Sequence, residues 1–172
     1  MTRNVMVAGI GNIFQSDDAF GVEVALRLAA RPTPVGVRVE DFGIRGMHLA
    51  YALLDGYDAL VLIDAVPMGE PAGTLAIIEP EVAPALATGS EARPAVDAHS
   101  MNPDTVLTTL AHLGGSVEKV FILGCQPATV VEGMGLSPVI SSVLDDAVEM
   151  CSELVSQLMS ESVEPAGRRR DS

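Results

Sequence analysis

Asp18, Asp41, Asp64 and His99 are the side chains of this sequence whose types and positions could do chemistry. Asp18 follows the first strand-like run, Asp41 closes the second, Asp64 falls near the end of the third, and His99 sits in "VDAHSMNP" just ahead of a helical pattern. Two carboxylates and one imidazole make a mixed oxygen and nitrogen donor set suited to a borderline divalent ion, and three protein ligands leave coordination positions open. Asp18 and Asp64 stand 46 positions apart, and Asp64 and His99 35. Gaps of that length rule out a local metal motif, so only the fold can bring these groups together. On the residues alone a structural role outweighs the metal reading at this point: an aspartate in an apolar strand can be held by loop N–H groups, and a histidine before a helix can serve packing alone.

The elements that must position them alternate along the chain. "NVMVAG" (4 to 9), "VRVEDF" (37 to 42), "ALVLIDAV" (59 to 66), "TLAIIE" (74 to 79) and "KVFILGC" (119 to 125) are short, β-branched runs bounded by turns, several of them apolar on both faces. Between them lie helical patterns at 18 to 30, 46 to 56, 103 to 115 and 138 to 159, with Asn102-Pro103 and Ser137-Pro138 as cap and first-position signatures. This alternation predicts an α/β fold: a single domain with a largely parallel, twisted five-stranded sheet and helices on both faces. Ligands of such sheets bind beyond the carboxyl ends of the strands. The run from Asp64 to Thr74 is too short for a crossover helix, so strands three and four are expected to form an antiparallel pair. The domain is expected to cover residues 1–161, with 162–172 as a frayed tail.

Composition narrows the partners. The 172 residues carry 23 acidic against 10 basic side chains, a formal charge of -13. That excess argues against nucleic acid and against anionic membrane surfaces, both of which need lysine and arginine, and favours cations or basic segments. Solubility alone would also account for it. Cys125 and Cys151 form no spaced pair, no apolar run approaches the length of a membrane span, and the first residues do not read as a signal peptide, so a reducing, cytoplasmic setting is expected.

The stretch "GIGNIFQSDDAFG" (9 to 21) raises a rival possibility. Gly9 and Gly11 after a strand supply half of a dinucleotide fingerprint, and Glu40 or Asp41 could hold a ribose, yet Phe14 stands where the third glycine belongs. Asp17 and Asp18 would also occupy the positive end of the following helix and repel a pyrophosphate. Ser16 and Asp17 can be read as helix caps.

"GIGNIFQSDDAFGVEVA" closely resembles the opening signature of the nickel-iron hydrogenase maturation endopeptidases, and "EDFGIRGMHL", "VLIDAVPMGEPAGTL", "DAHSMNPDTVL" and "FILGCQPATVVEGMGLSPVI" follow in the family's order. The resemblance runs from about Val5 to Leu158. It implies that Asp18, Asp64 and His99 bind metal, and that the substrate is the precursor of a hydrogenase large subunit, which loses a C-terminal extension once nickel is inserted. The nickel would then be presented by the substrate, and the acidic pair Asp17–Asp18 would be set to meet that cation. His99 must be neutral to coordinate, so ligation should weaken as pH falls through its titration. Asp41 is the candidate catalytic helper, as base or positioning group. Phe42, Gly43, Ile44 and Arg45 depart from the glycine pair and threonine frequent in the family, which leaves Arg45 as either a substrate contact or a local structural group. No Ser/His/Asp or Cys/His arrangement stands out. A non-enzymatic nickel carrier remains as a further alternative, although His48, His99 and His112 make no metal-storing tract.

Overall fold

Six consecutive buried residues, Val5–Ile10, form strand β1 at the inner part of the sheet. The computed structural model describes residues 3–80 and 103–161. β1 pairs in parallel with β2 (Val37–Gly43) on one side and β3 (Ala59–Ala65) on the other, which is why neither face nor edge of it needs polar side chains. β3 pairs in parallel with β5 (Lys119–Cys125), and β4 (Leu75–Ile78) closes the far edge, giving the order β2-β1-β3-β5-β4.

Helices cover both faces. Alternate β1 and β3 residues, including Val5, Val7, Val61 and Ile63, pack with α1 (Phe20–Ala29) and α5 (Leu144–Ser160). The other set, including Met6, Ala8, Leu60 and Leu62, packs with α2 (Gly46–Leu53) and α3 (Pro103–His112). α1 lies unusually close to the sheet because two glycines face one another. A Cβ on Gly21 would sit 2.0 Å from the Ile63 carbonyl oxygen, and one on Gly9 would sit 2.3 Å from the Gly21 oxygen. Among the described residues no helix is long and apolar enough to cross a membrane.

Three expectations need correction. The antiparallel strand exists, but β4 pairs with β5 (Leu75 opposite Cys125, Ile78 opposite Ile122) rather than with β3. Both edges of β3 are already taken by β1 and β5, so the short connection after β3 turns across the end of β5 instead. It is held there by Val66 N–H to Cys125 O and Gly73 N–H to Gln126 O. The helix expected over 138 to 159 is two: α4 (Pro138–Ser141) and α5, parted at Ser142, whose hydroxyl donates to the Val139 carbonyl at 2.7 Å and competes with the backbone ladder. The helix expected from 18 starts as a single 3-10 turn, Ser16–Ala19, and becomes α-helical at Phe20.

Candidate active site

The loop that leaves β1 folds back upon itself. Gly11 takes φ +139°, and a Cβ there would fall 1.9 Å from the Asp18 carbonyl oxygen, so the chain can close only around glycine. Asn12 secures the closure twice: its side chain accepts from Phe14 N–H at 2.9 Å, and its own N–H donates to Asp18 Oδ2 at 2.8 Å. Asp18 is thereby fixed, half-buried, at the carboxyl edge of the sheet.

Asp64 reaches the same edge from the penultimate position of β3. Burial and the negative charge of Asp18 push its carboxyl well above the usual carboxylate range, against a smaller opposing pull from the Ala65 N–H. The charge of Asp18 thus reaches the buried Asp64 carboxyl across the edge of the sheet.

Asp41 arrives on β2 from the other side of β1, opposite Gly9. A bulge follows at once, since Ile10 pairs with Gly43 and Phe42 is extra. Asp41 Oδ1 is buried and accepts no hydrogen bond among the described residues. Arg45 does not meet this carboxylate: Nη2 donates to the Asp41 carbonyl at 2.6 Å and Nε to the Phe42 carbonyl at 3.1 Å. Of its two readings the local structural one fits, with the guanidinium tying the end of β2 to the start of α2.

Asp17 does something that sequence reasoning missed. It neither caps the helix nor faces a cation, and its side chain is fully buried. Oδ2 accepts from Ala128 N–H at 2.9 Å, Thr129 N–H at 3.0 Å and Ser137 Oγ at 2.9 Å, while Oδ1 accepts from Ser137 N–H at 2.7 Å. Burial alone would raise its pKa, but these donors outweigh that and hold it below the ordinary value. Ser137, expected as a cap, has turned its hydroxyl to Asp17 and makes no cap bond. No local signal distinguishes Asp17 from its neighbour, since its partners lie 111 to 120 positions away.

The thiols are unsuited to nucleophilic attack. Burial pushes Cys151 up to about 12, and burial together with the Asp17 charge pushes Cys125 up to about 11. Among the described residues no group of three His, Cys, Asp or Glu side chains could hold a metal ion. Asp18 and Asp64 come together at one edge; His99 lies outside the described residues. The dinucleotide reading loses its basis, because Gly9 and Gly11 are accounted for by helix packing and loop closure.

A largely parallel α/β sheet covered by helices on both faces, with acidic side chains gathered at the carboxyl edge of its strands, gives the class of protein. The comparisons give the particular family. The model of the family HycI, hydrogenase maturation protease, matches residues 22–154. The hydrogenase expression/formation protein HupD of Rhodobacter capsulatus is 30% identical over 164 residues, covering 94% of this chain and 74% of that protein. The hydrogenase 2 maturation protease of Escherichia coli (strain K12) is 30% identical over 147 residues, 84% of this chain and 86% of the relative. The structure of the hydrogenase maturating endopeptidase HybD from E. coli superposes with a TM-score of 0.72 at 26% identity, covering 90% of this chain and 93% of that one. This chain belongs to the hydrogenase maturation protease family, and it is a peptidase with an endopeptidase processing role.

Proposed function

We propose that this peptidase cuts the C-terminal extension from a hydrogenase large-subunit precursor once nickel has been inserted, acting in the cytoplasm through a domain spanning residues 1–161. Asp18, Asp64 and His99 are assigned as the ligands that inspect the nickel carried by the precursor, and Asp41 as the group that positions or deprotonates the attacking water. The observation that carries this reading is that Asp64 from β3 and Asp18 from the turn after β1 meet at one edge of the sheet, close enough for the Asp18 charge to act on the buried Asp64 carboxyl. Two carboxylates held together without a cation are destabilised, and a divalent ion brought by another polypeptide removes that penalty only while it is bound. Recognition of a loaded precursor is then a differential binding event: the same edge that repels itself when empty gains most from a metal-bearing partner.

Asp41 is suited to its assigned role because one carboxylate oxygen is shielded from water and accepts no hydrogen bond among the described residues. Its acceptor is left unused until the substrate brings a water to it. The test is to mix the protein with nickel-loaded and nickel-free precursor and follow the large subunit by mass spectrometry. Loss of the extension from the loaded form alone is expected. Equal cleavage of both forms would remove the inspection step, and cleavage of neither would remove the assignment of substrate.

A further inference from the structure

The loops after β1 and β5 are joined into one ribbon. Gln15 and Gly133 form an isolated parallel bridge. Ser16 N–H donates to the Gly133 carbonyl at 2.8 Å, and Gly133 N–H to the Phe14 carbonyl at 2.8 Å. The Ser16 hydroxyl adds a bond to the Val131 carbonyl at 2.8 Å, and Asp17 N–H one to the Thr129 carbonyl at 3.1 Å. The Asp17 carboxylate then grips Ala128, Thr129 and Ser137 from beneath. Among the described residues Ser16 is the only non-glycine with a positive φ, +52°, so the ribbon is held in a backbone state that side chains disfavour.

This bracing carries apolar side chains into water. Phe14 is 59% exposed, Val131 67% and Met134 75%, with Ile13 and Val130 beside them in the chain. A slack loop would turn such groups inward, whereas a backbone pinned at both ends cannot. Five exposed apolar side chains on two bridged segments, beside the edge assigned above to the metal, point to an interaction site. Continuity with that edge is direct, since the loop that presents Phe14 also presents Asp18 four positions later. Charge restricts the occupant. No lysine or arginine occurs between residues 4 and 26 or between 120 and 160, and Glu132 stands exposed among the apolar groups of the ribbon. An acidic segment would be repelled, and an apolar one with neutral or positive flanks would be accepted.

We propose that the ribbon of residues 13–16 and 129–134 is the docking ridge for an extended, apolar and non-acidic segment of the precursor flanking the scissile bond. The proposal rests on the processing function above, because that function supplies the occupant. The ridge sets where the bond lies relative to Asp18, and the acidic edge then inspects the metal.

The test measures affinity and cleavage on the same samples, using the nickel-loaded large-subunit precursors encoded in the same genome. Phe14→Ser combined with Val131→Ser should weaken binding about 10- to 100-fold, the loss expected when two apolar side chains no longer leave water, and should raise KM with kcat unchanged. Met134→Ser, made separately, should weaken it in the same direction. Val35→Ser, at a position 85% exposed outside the ribbon, should bind like the wild type. Circular dichroism establishes that each variant is folded; if the double variant is not, Met134→Ser decides. The ridge is overturned if the folded ridge variant binds within about twofold of wild type, if Val35→Ser loses as much, or if wild type binds no precursor. A wild type that binds but does not cut counts against the processing function, with the ridge still judged on affinity.

Discussion

Replacing Asp17 by asparagine tests whether one buried carboxylate holds the two loops of the site together. The wild-type side chain accepts four hydrogen bonds, three from backbone N–H groups and one from a hydroxyl. With its amide oxygen at the Oδ2 position, asparagine keeps three of these as neutral bonds, each about 1 kcal/mol weaker than its charge-assisted counterpart. Its amide nitrogen then meets the Ser137 N–H, and a buried donor left facing a donor costs about 1–3 kcal/mol. Relief from burying a charge returns part of this, leaving a net loss of about 3 kcal/mol. For a chain of this size that corresponds to a fall in Tm of roughly 6–12 °C. The pH dependence has a definite sign. The folded-state pKa of Asp17 is lowered, so its contribution is complete above the ordinary value of 3.8 and is lost as pH falls from there through the folded value. The gap between wild type and Asp17→Asn should be widest at neutral pH and should close in acid. Thermal melts across that range, with hydrogen exchange of the amides from 128 to 137, would measure both effects. A variant melting within about 2 °C of wild type at neutral pH, or a gap that widens in acid, would refute the reasoning.

Asp64→Asn should abolish processing yet melt above the wild type at neutral and alkaline pH, because a folded pKa raised above the unfolded one removes stability as pH rises; equal or lower Tm would contradict this sign. Asp41→Asn should lower kcat by about 100-fold or more with little change in KM, as expected for loss of a general base, and single-turnover cleavage would report it. Gly21→Ala should fail to fold, since its methyl group would overlap the Ile63 carbonyl oxygen at 2.0 Å and the Ile10 oxygen at 2.4 Å; soluble, native-like protein would show that α1 can withdraw from the sheet.

Strand order could only partly be anticipated. The antiparallel edge strand was legible because a short connection cannot hold a crossover helix, but its partner was decided by which edges the buried strands had left open. The break between α4 and α5 was hidden because the pattern of apolar residues continues across Ser142.

The site divides in the same way. The places of Asp18 after β1 and of Asp41 and Asp64 near the ends of β2 and β3, the unfitness of the cysteines and the family itself were contained in local patterning and in the order of motifs, since these depend on neighbours a few residues apart. Asp17 and Asp18 are adjacent in sequence and chemically alike, yet one is buried as an anchor for a loop more than a hundred residues away and the other stands half-buried at the carboxyl edge of the sheet. That difference belongs to the tertiary structure alone, because the donors that hold Asp17 and the carboxylate that repels Asp18 reach them only when β1, β3 and β5 lie side by side.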